Sequence, residues 1–205
     1  MSLQVFGLTG GIASGKSSVA AQLRERGVPM VDADELARRA VEPGSSGLAE
    51  IVSAFGPSIL LPDGSLDRRQ LGARVFGDES ARKRLNAIVH PRVRELSQQR
   101  FAALDEAGVK LAGYDVPLLF EVGLEQALRP VVLVATSEES QLERLMQRDS
   151  IGPDEARARI AAQWPLDDKR ARADYVIEND GSLAELAAQV DELLRSLRAG
   201  SARAG

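Results

Sequence analysis

Apolar and polar positions along the chain change period several times, and each change marks a structural element. Val5 to Thr9 is a short apolar run ending in glycines, after which Val19, Ala20 and Leu23 recur at helical spacing until Gly27 supplies a stop. This order predicts a strand, a glycine-rich turn and a helix. A second apolar run, Val28 to Val31, ends on Asp32-Ala33-Asp34, and Leu36, Ala37 and Ala40 then mark a short helix. From about Glu42 to Gly108 the pattern is mostly helical, broken by a Pro62-Asp63-Gly64 turn and by Pro91, a residue suited to the first position of a helix. Strand-type runs return at Tyr114 to Phe120 and at Val131 to Ala135, the latter reading as a strand covered on both faces. Ser137 is placed to cap a helix carrying Leu142, Leu145 and Met146, and Pro153 to open an arginine-rich helix running towards Gln163. Tyr175 to Ile177 reads as a last strand. Ser182 and Glu185 have capping-box spacing, and Leu183, Leu186, Val190, Leu193 and Leu197 line one face of a closing helix. Ala199 to Gly205 is expected to be disordered, and Met1-Ser2-Leu3 reads in part as a leader. Such strands alternating with helices predict an α/β fold with a parallel sheet, interrupted by a helical insertion.

Composition narrows the chemistry more than the fold. The 205 residues, 44% hydrophobic and 27% charged, suit one buried α/β core. No apolar run approaches the roughly 18 residues of a membrane span and no secretory signal opens the chain, so a cytoplasmic protein is expected. The absence of cysteine excludes disulfides, thiolate catalysis and cysteine-held zinc, and a single histidine, His90, excludes a multi-histidine metal centre. Any metal must be held mainly by oxygen ligands or phosphates. A net charge of −4 argues against a broad nucleic-acid surface, and the expected partners are small molecules, with no membrane or obligate protein partner indicated.

Gly10-Gly11-Ile12-Ala13-Ser14-Gly15-Lys16-Ser17 matches G-x-x-x-x-G-K-[ST] in full, with Ser18 following, between a predicted strand and a predicted helix. Glycines let such a loop wrap so that backbone N–H groups face one anion, and the helix N-terminus adds positive potential. These residues are expected to bind the phosphates of ATP, with Lys16 reaching the β- and γ-phosphates and the Ser17 hydroxyl serving as a ligand of Mg2+. A guanine-reading Asn-Lys-x-Asp is absent, and Asp105 to Gly108 matches a switch pattern only inside a helical stretch. For a kinase acting on an alcohol, a carboxylate at a strand end is the natural base. Asp32 and Asp34 both qualify; one of them can cap the helix beginning near Glu35, and Asp34 is favoured as the base. Asp115, inside a strand-like run, is considered as a group behind the magnesium and set aside. Arg144, Arg148, Arg157 and Arg159, interrupted by Ile151-Gly152-Pro153, supply the charge of a mobile lid. Another P-loop small-molecule or nucleoside/nucleotide kinase, or a nucleotide-binding regulator without catalysis, stays open on these residues alone.

The ordered set Gly7 to Ser17, Val31 to Asp34, His90-Pro91, Asp115 to Glu121, Gln141 to Asp149 and Ala173 to Asn179 resembles the dephospho-CoA kinase family over about residues 3 to 195. The resemblance implies transfer of the ATP γ-phosphoryl to the ribose 3′-hydroxyl of dephospho-CoA, with Mg2+, as the last step in making CoA. It implies a three-layer α/β/α P-loop kinase core with a parallel sheet over about residues 1–41 and 111–198, a helical CoA-binding insertion over about 60–110 and a lid over about 144–172. Carried over to this chain, Asp34 is the base and a substrate contact, Lys16, Arg144 and Arg148 act on the phosphoryl group, Asn179 lies near the adenine, and His90 is on the substrate side. Trp164 departs from the residue usual at the end of the lid and is expected to pack without touching a ligand.

Overall fold

The computed structural model describes residues 3–203, with side chains described through residue 200, and the chain folds into two compact units. One comprises the chain up to Val31 and from Leu104 onward; the other is Asp32–Ala103.

The first unit is built on a sheet of β1 (Gln4–Gly10), β2 (Met30–Asp32), β3 (Leu111–Asp115), β4 (Val131–Ala135) and β5 (Tyr175–Glu178), in the order β2-β3-β1-β4-β5. β1 runs parallel to both its neighbours, with Gly7 opposite Tyr114 on β3 and Val131 on β4, and β4 runs parallel to β5. Every residue of β3 and β4 is buried, which accounts for the continuous apolar run of β4. Val132 and Val134 share a core with Phe6, Leu8, Ile177 and the apolar faces of helices α1 (Lys16–Glu25) and α9 (Leu183–Arg203). Successive strand residues alternate faces, so Val131, Leu133 and Ala135, all fully buried, lie under a second layer. α6 (Glu138–Asp149), α7 (Pro153–Ala161) and α8 (Leu166–Arg170) connect β4 to β5, and their buried Leu145, Ala156 and Lys169 face inward.

Local signals terminate these elements as the pattern predicts. The Ser137 hydroxyl caps α6 by accepting from Ser140 N–H, and Pro153 opens α7. The Ser182 hydroxyl accepts from Glu185 N–H while the Glu185 carboxylate takes Ser182 N–H at 2.7 Å, a complete capping box. Three expectations are corrected. The strand expected over Tyr114 to Phe120 ends at Asp115; Pro117 has no N–H to give a ladder, and the chain turns while Leu119 and Phe120 stay buried. Helix α9 continues to Arg203, so residues 199–203 are helical rather than disordered. The leader expectation at Met1 and Ser2, and the tail expectation at residues 204 and 205, lie outside the described residues.

The third correction concerns the second unit, which contains α2 (Ala33–Arg39), α3 (Ser46–Phe55), α4 (Arg68–Val75) and most of α5 (Glu79–Glu106). Pro91 does not open a helix; it lies inside α5. Proline removes one backbone donor and crowds the preceding turn. Here the Arg92 guanidinium donates to the Ile88 carbonyl at 2.5 Å and also pairs with Glu50. Leu85, Ile88, Val89, Val93 and Leu96 pack against Ile51, Ile59 and Leu71, so one apolar stripe stays in phase across the proline. The Pro62-Asp63-Gly64 turn forms as expected, with Asp63 accepting from both the N–H and the hydroxyl of Ser65.

Two polar contacts fix the first unit where the chain leaves the sheet. The Asp180 carboxylate accepts from the Thr136 hydroxyl at 2.6 Å and from Ser137 N–H at 3.0 Å, tying the end of β5 to the start of α6. The hydroxyl of Thr136 is the largest cause holding its carboxyl well below the ordinary range. A carboxyl depressed in the folded state contributes stability above about pH 4 and loses it as pH falls. Asp180→Ala is therefore expected to lower stability at pH 7, with the gap from wild type narrowing steadily as pH falls below about 4, as read by urea unfolding across pH.

Lys169 is fully buried, its ammonium 2.6 Å from Glu121 Oε1, which also accepts from Trp164 N–H at 3.2 Å. Removing one member of such a pair strands the other charge. Lys169→Met is expected to cost about 3–5 kcal/mol in urea unfolding, with much of that loss recovered when Glu121→Gln is added.

Candidate active site

The sheet delivers its chemistry at one edge. Because β1 and β3 are parallel, the glycine loop after Gly10 and the carboxylate of Asp115 emerge side by side. The Lys16 ammonium is ion-paired with Asp115, whose residue is only 4% exposed. Asp115, considered from its strand-like run as a group behind the magnesium and set aside, thus stands as the direct partner of the loop lysine. An aspartate followed by Val116-Pro117 is the signal that could have found it, since the proline ends the strand there.

Within the loop, Ser14 is buried, Ser17 and Ser18 are exposed, and Gly15 takes φ 85°, a left-handed conformation that glycine adopts without a Cβ penalty. Gly15 is also crowded: a Cβ there would overlap the Asn179 amide. Asn179 donates to the Ser14 carbonyl at 2.8 Å, and Arg144 donates to the Asn179 carbonyl at 2.8 Å. Arg144, Asn179 and the loop are thereby brought together. Arg148, one turn further along α6, is not part of that set; its guanidinium lies on Asp149, 2.7 Å from Oδ1. Asp149 also receives Arg159 at 2.7 Å, and Arg148 is the main cause of its lowered carboxyl pKa.

Two glutamines that sequence reasoning missed hold the outer arc of the loop. Gln163 Oε1 accepts from Ile12 N–H and Gln141 Nε2 donates to the Ile12 carbonyl, both at 2.8 Å. Gln141 is 5% exposed, and it lies one turn before buried Leu145. A polar residue on that apolar stripe was the available signal; Gln163, beyond the end of α7, offered none. Beside Gly11 opens a cleft of about 700 Å³ bordered by Ser137, Gln141, Arg157, Gln163 and Trp164. The Trp164 ring carries Arg172 at 4.9 Å, so it packs against a cation of its own chain.

The remaining candidates lie in the second unit. Asp32 caps α2 by accepting from Asp34 N–H at 2.8 Å and Glu35 N–H at 3.2 Å, while Asp34 is exposed. His90 is exposed on α5. Among the described residues no group of three or more acidic, histidine or cysteine side chains could hold a metal, and no helix is long and apolar enough to cross a membrane. The donor set beside the loop, an exposed serine hydroxyl and a carboxylate, suits a hard cation that takes its other ligands from phosphates.

Comparison with known proteins identifies the family. The dephospho-CoA kinase family model matches residues 4–185. A dephospho-CoA kinase of Anaeromyxobacter dehalogenans is 57% identical over 201 residues, covering 98% of this chain and 95% of that protein. Among solved structures, TT1252 of Thermus thermophilus superposes with a TM-score of 0.83 at 39% identity, covering 96% of this chain and 99% of that one. Dephospho-CoA kinase from Campylobacter jejuni superposes with a TM-score of 0.65 at 27% identity, covering 94% and 96%. With a glycine loop whose lysine meets a strand-end aspartate, a matching fold and a match along nearly its whole length, this chain belongs to the dephospho-CoA kinase family.

Proposed function

We propose that the protein transfers the γ-phosphoryl group of ATP to the ribose 3′-hydroxyl of dephospho-CoA, giving CoA and ADP. The observation that carries this reading is the Lys16–Asp115 pair at the mouth of the glycine loop, in a chain whose relatives bear that name along their length. Backbone N–H groups of Gly10 to Ser18 receive the phosphates, and Lys16 exchanges Asp115 for the β- and γ-phosphate oxygens. Ser17 and Asp115 are the residues that would hold Mg2+, which when bound neutralises charge on those phosphates. Arg144, held by the Asn179 carbonyl, adds positive charge beside the loop, and Asn179 borders the adenine. Arg148 joins them by leaving Asp149, as part of a lid over about residues 144–172. Asp34 takes the proton of the attacking hydroxyl. Asp32 supports this choice, because it spends a carboxylate oxygen on the cap of α2. His90 is assigned to the acceptor side. A cytoplasmic location goes with this reading.

Incubation with Mg·ATP and, in parallel, dephospho-CoA, adenosine or a nucleoside monophosphate is expected to release ADP with dephospho-CoA. ADP with none of the acceptors overturns the enzyme reading, and ADP only with a nucleoside or nucleotide overturns the choice of acceptor. Asp34→Ala is expected to lower turnover by roughly 10²- to 10⁴-fold while ATP affinity, read by calorimetry, stays unchanged. Unchanged turnover would remove Asp34 from the mechanism.

A further inference from the structure

The arc of the loop before Gly15 is a defined turn. Ser14 N–H donates to the Gly11 carbonyl at 3.1 Å, closing a four-residue turn with Ile12 and Ala13 at its centre. Ala13 has φ 57°, whereas Ile12 is not among the residues with positive φ. A negative φ followed by a positive one is the type II arrangement, whose third residue is usually glycine because a Cβ is disfavoured there. Alanine at this position favours type I, which differs by a rotation of about 180° of the central Ile12–Ala13 peptide.

The two glutamines act on the residue where this choice is made. The carbonyl of Ile12 and the N–H of Ala13 belong to one trans peptide and point in opposite directions. Gln141, by donating to that carbonyl, turns Ala13 N–H away from α6; rotation to type I would break the contact. Gln163 takes Ile12 N–H and fixes the peptide before it. Gly11 is part of the same arrangement, because a Cβ there would collide with the Gln141 amide. The two glutamines also bracket the segment that carries Arg144, Arg148, Arg157 and Arg159. Both ends of that segment are therefore tied to Ile12.

We propose that Gln141 and Gln163 are positioning residues that hold the Ile12–Ala13 peptide in its left-handed turn, so that Ala13 N–H faces the phosphates and the loop's shape depends on the seating of the arginine-bearing segment. This rests on the reading of the loop as a phosphate cradle. Neither glutamine acts on the substrate itself. Their effect passes through one peptide orientation, and it becomes dispensable when residue 13 favours that orientation unaided.

The test is a rescue. Gln141→Met combined with Gln163→Met keeps side-chain length but removes both hydrogen bonds. It is expected to lower kcat/KM for ATP by about 10- to 100-fold, the range for a small misplacement at a reacting group. KM for the acceptor and the melting temperature should change little. Adding Ala13→Gly, which removes the Cβ penalty at φ 57°, should restore kcat/KM to within about threefold of the Ala13→Gly single variant. An undiminished double glutamine variant overturns the proposal, as does a defect that Ala13→Gly leaves in place. Should the double variant melt early, the single Gln141→Met, which removes only the bond to the Ile12 carbonyl, is read in the same way with and without Ala13→Gly. Calorimetric ATP affinity, measured without acceptor, reads the turn even if dephospho-CoA proves not to be the substrate.

Discussion

The parallel pairing of β1 with β3 on one side and β4 on the other is the constraint on which the rest of the first unit depends. Parallel strands must all leave the sheet at the same edge, so the glycine loop, Asp115 and Thr136-Ser137 arrive together without any further device. Burial of every residue on β3 and β4 makes a shift in register costly, since a slip of one position would exchange the two faces. What remains for the connecting segments is to hold the exits in place. Asp180 does so between β5 and α6, and Glu121 between the turn after β3 and the segment leading into α8.

Most of this architecture could be read from the order of residues, because the signals that carry it are local. Caps at Ser137 and Ser182, Pro153 at a helix start and the apolar runs of β1 and β4 all act within a few positions of themselves. The failures come where a distant contact overrides a local preference. Pro91 looks like a helix start until Arg92 and a continuous apolar stripe carry the helix through it. Asp115 looks like mid-strand because Leu119 and Phe120 are apolar, yet they are buried by turning rather than by extending the strand.

The site was legible to a different degree. The glycine loop announces itself by spacing, and Arg144 and Asn179 meet beside it. The glutamines that shape the loop are nearly invisible in sequence, because Ile12 and Gln163 are far apart along the chain and a single side-chain amide carries no periodicity. Arg148 shows the reverse case, a residue prominent in sequence that sits on Asp149 in the structure. An arginine so placed must exchange one anionic partner for another before it can act on a phosphate.

Under the proposed function, the pairing of Lys16 with Asp115 bears on the form in which ATP would be accepted. A triphosphate that draws the ammonium onto its own oxygens leaves the nearly buried carboxylate deprived of that positive charge, facing an anion of still greater charge. A cation arriving with the phosphates restores the balance at the same moment. Bare nucleotide would bring no such replacement. Under that function, the carboxylate would favour metal-complexed over metal-free nucleotide through the electrostatic cost of moving one lysine.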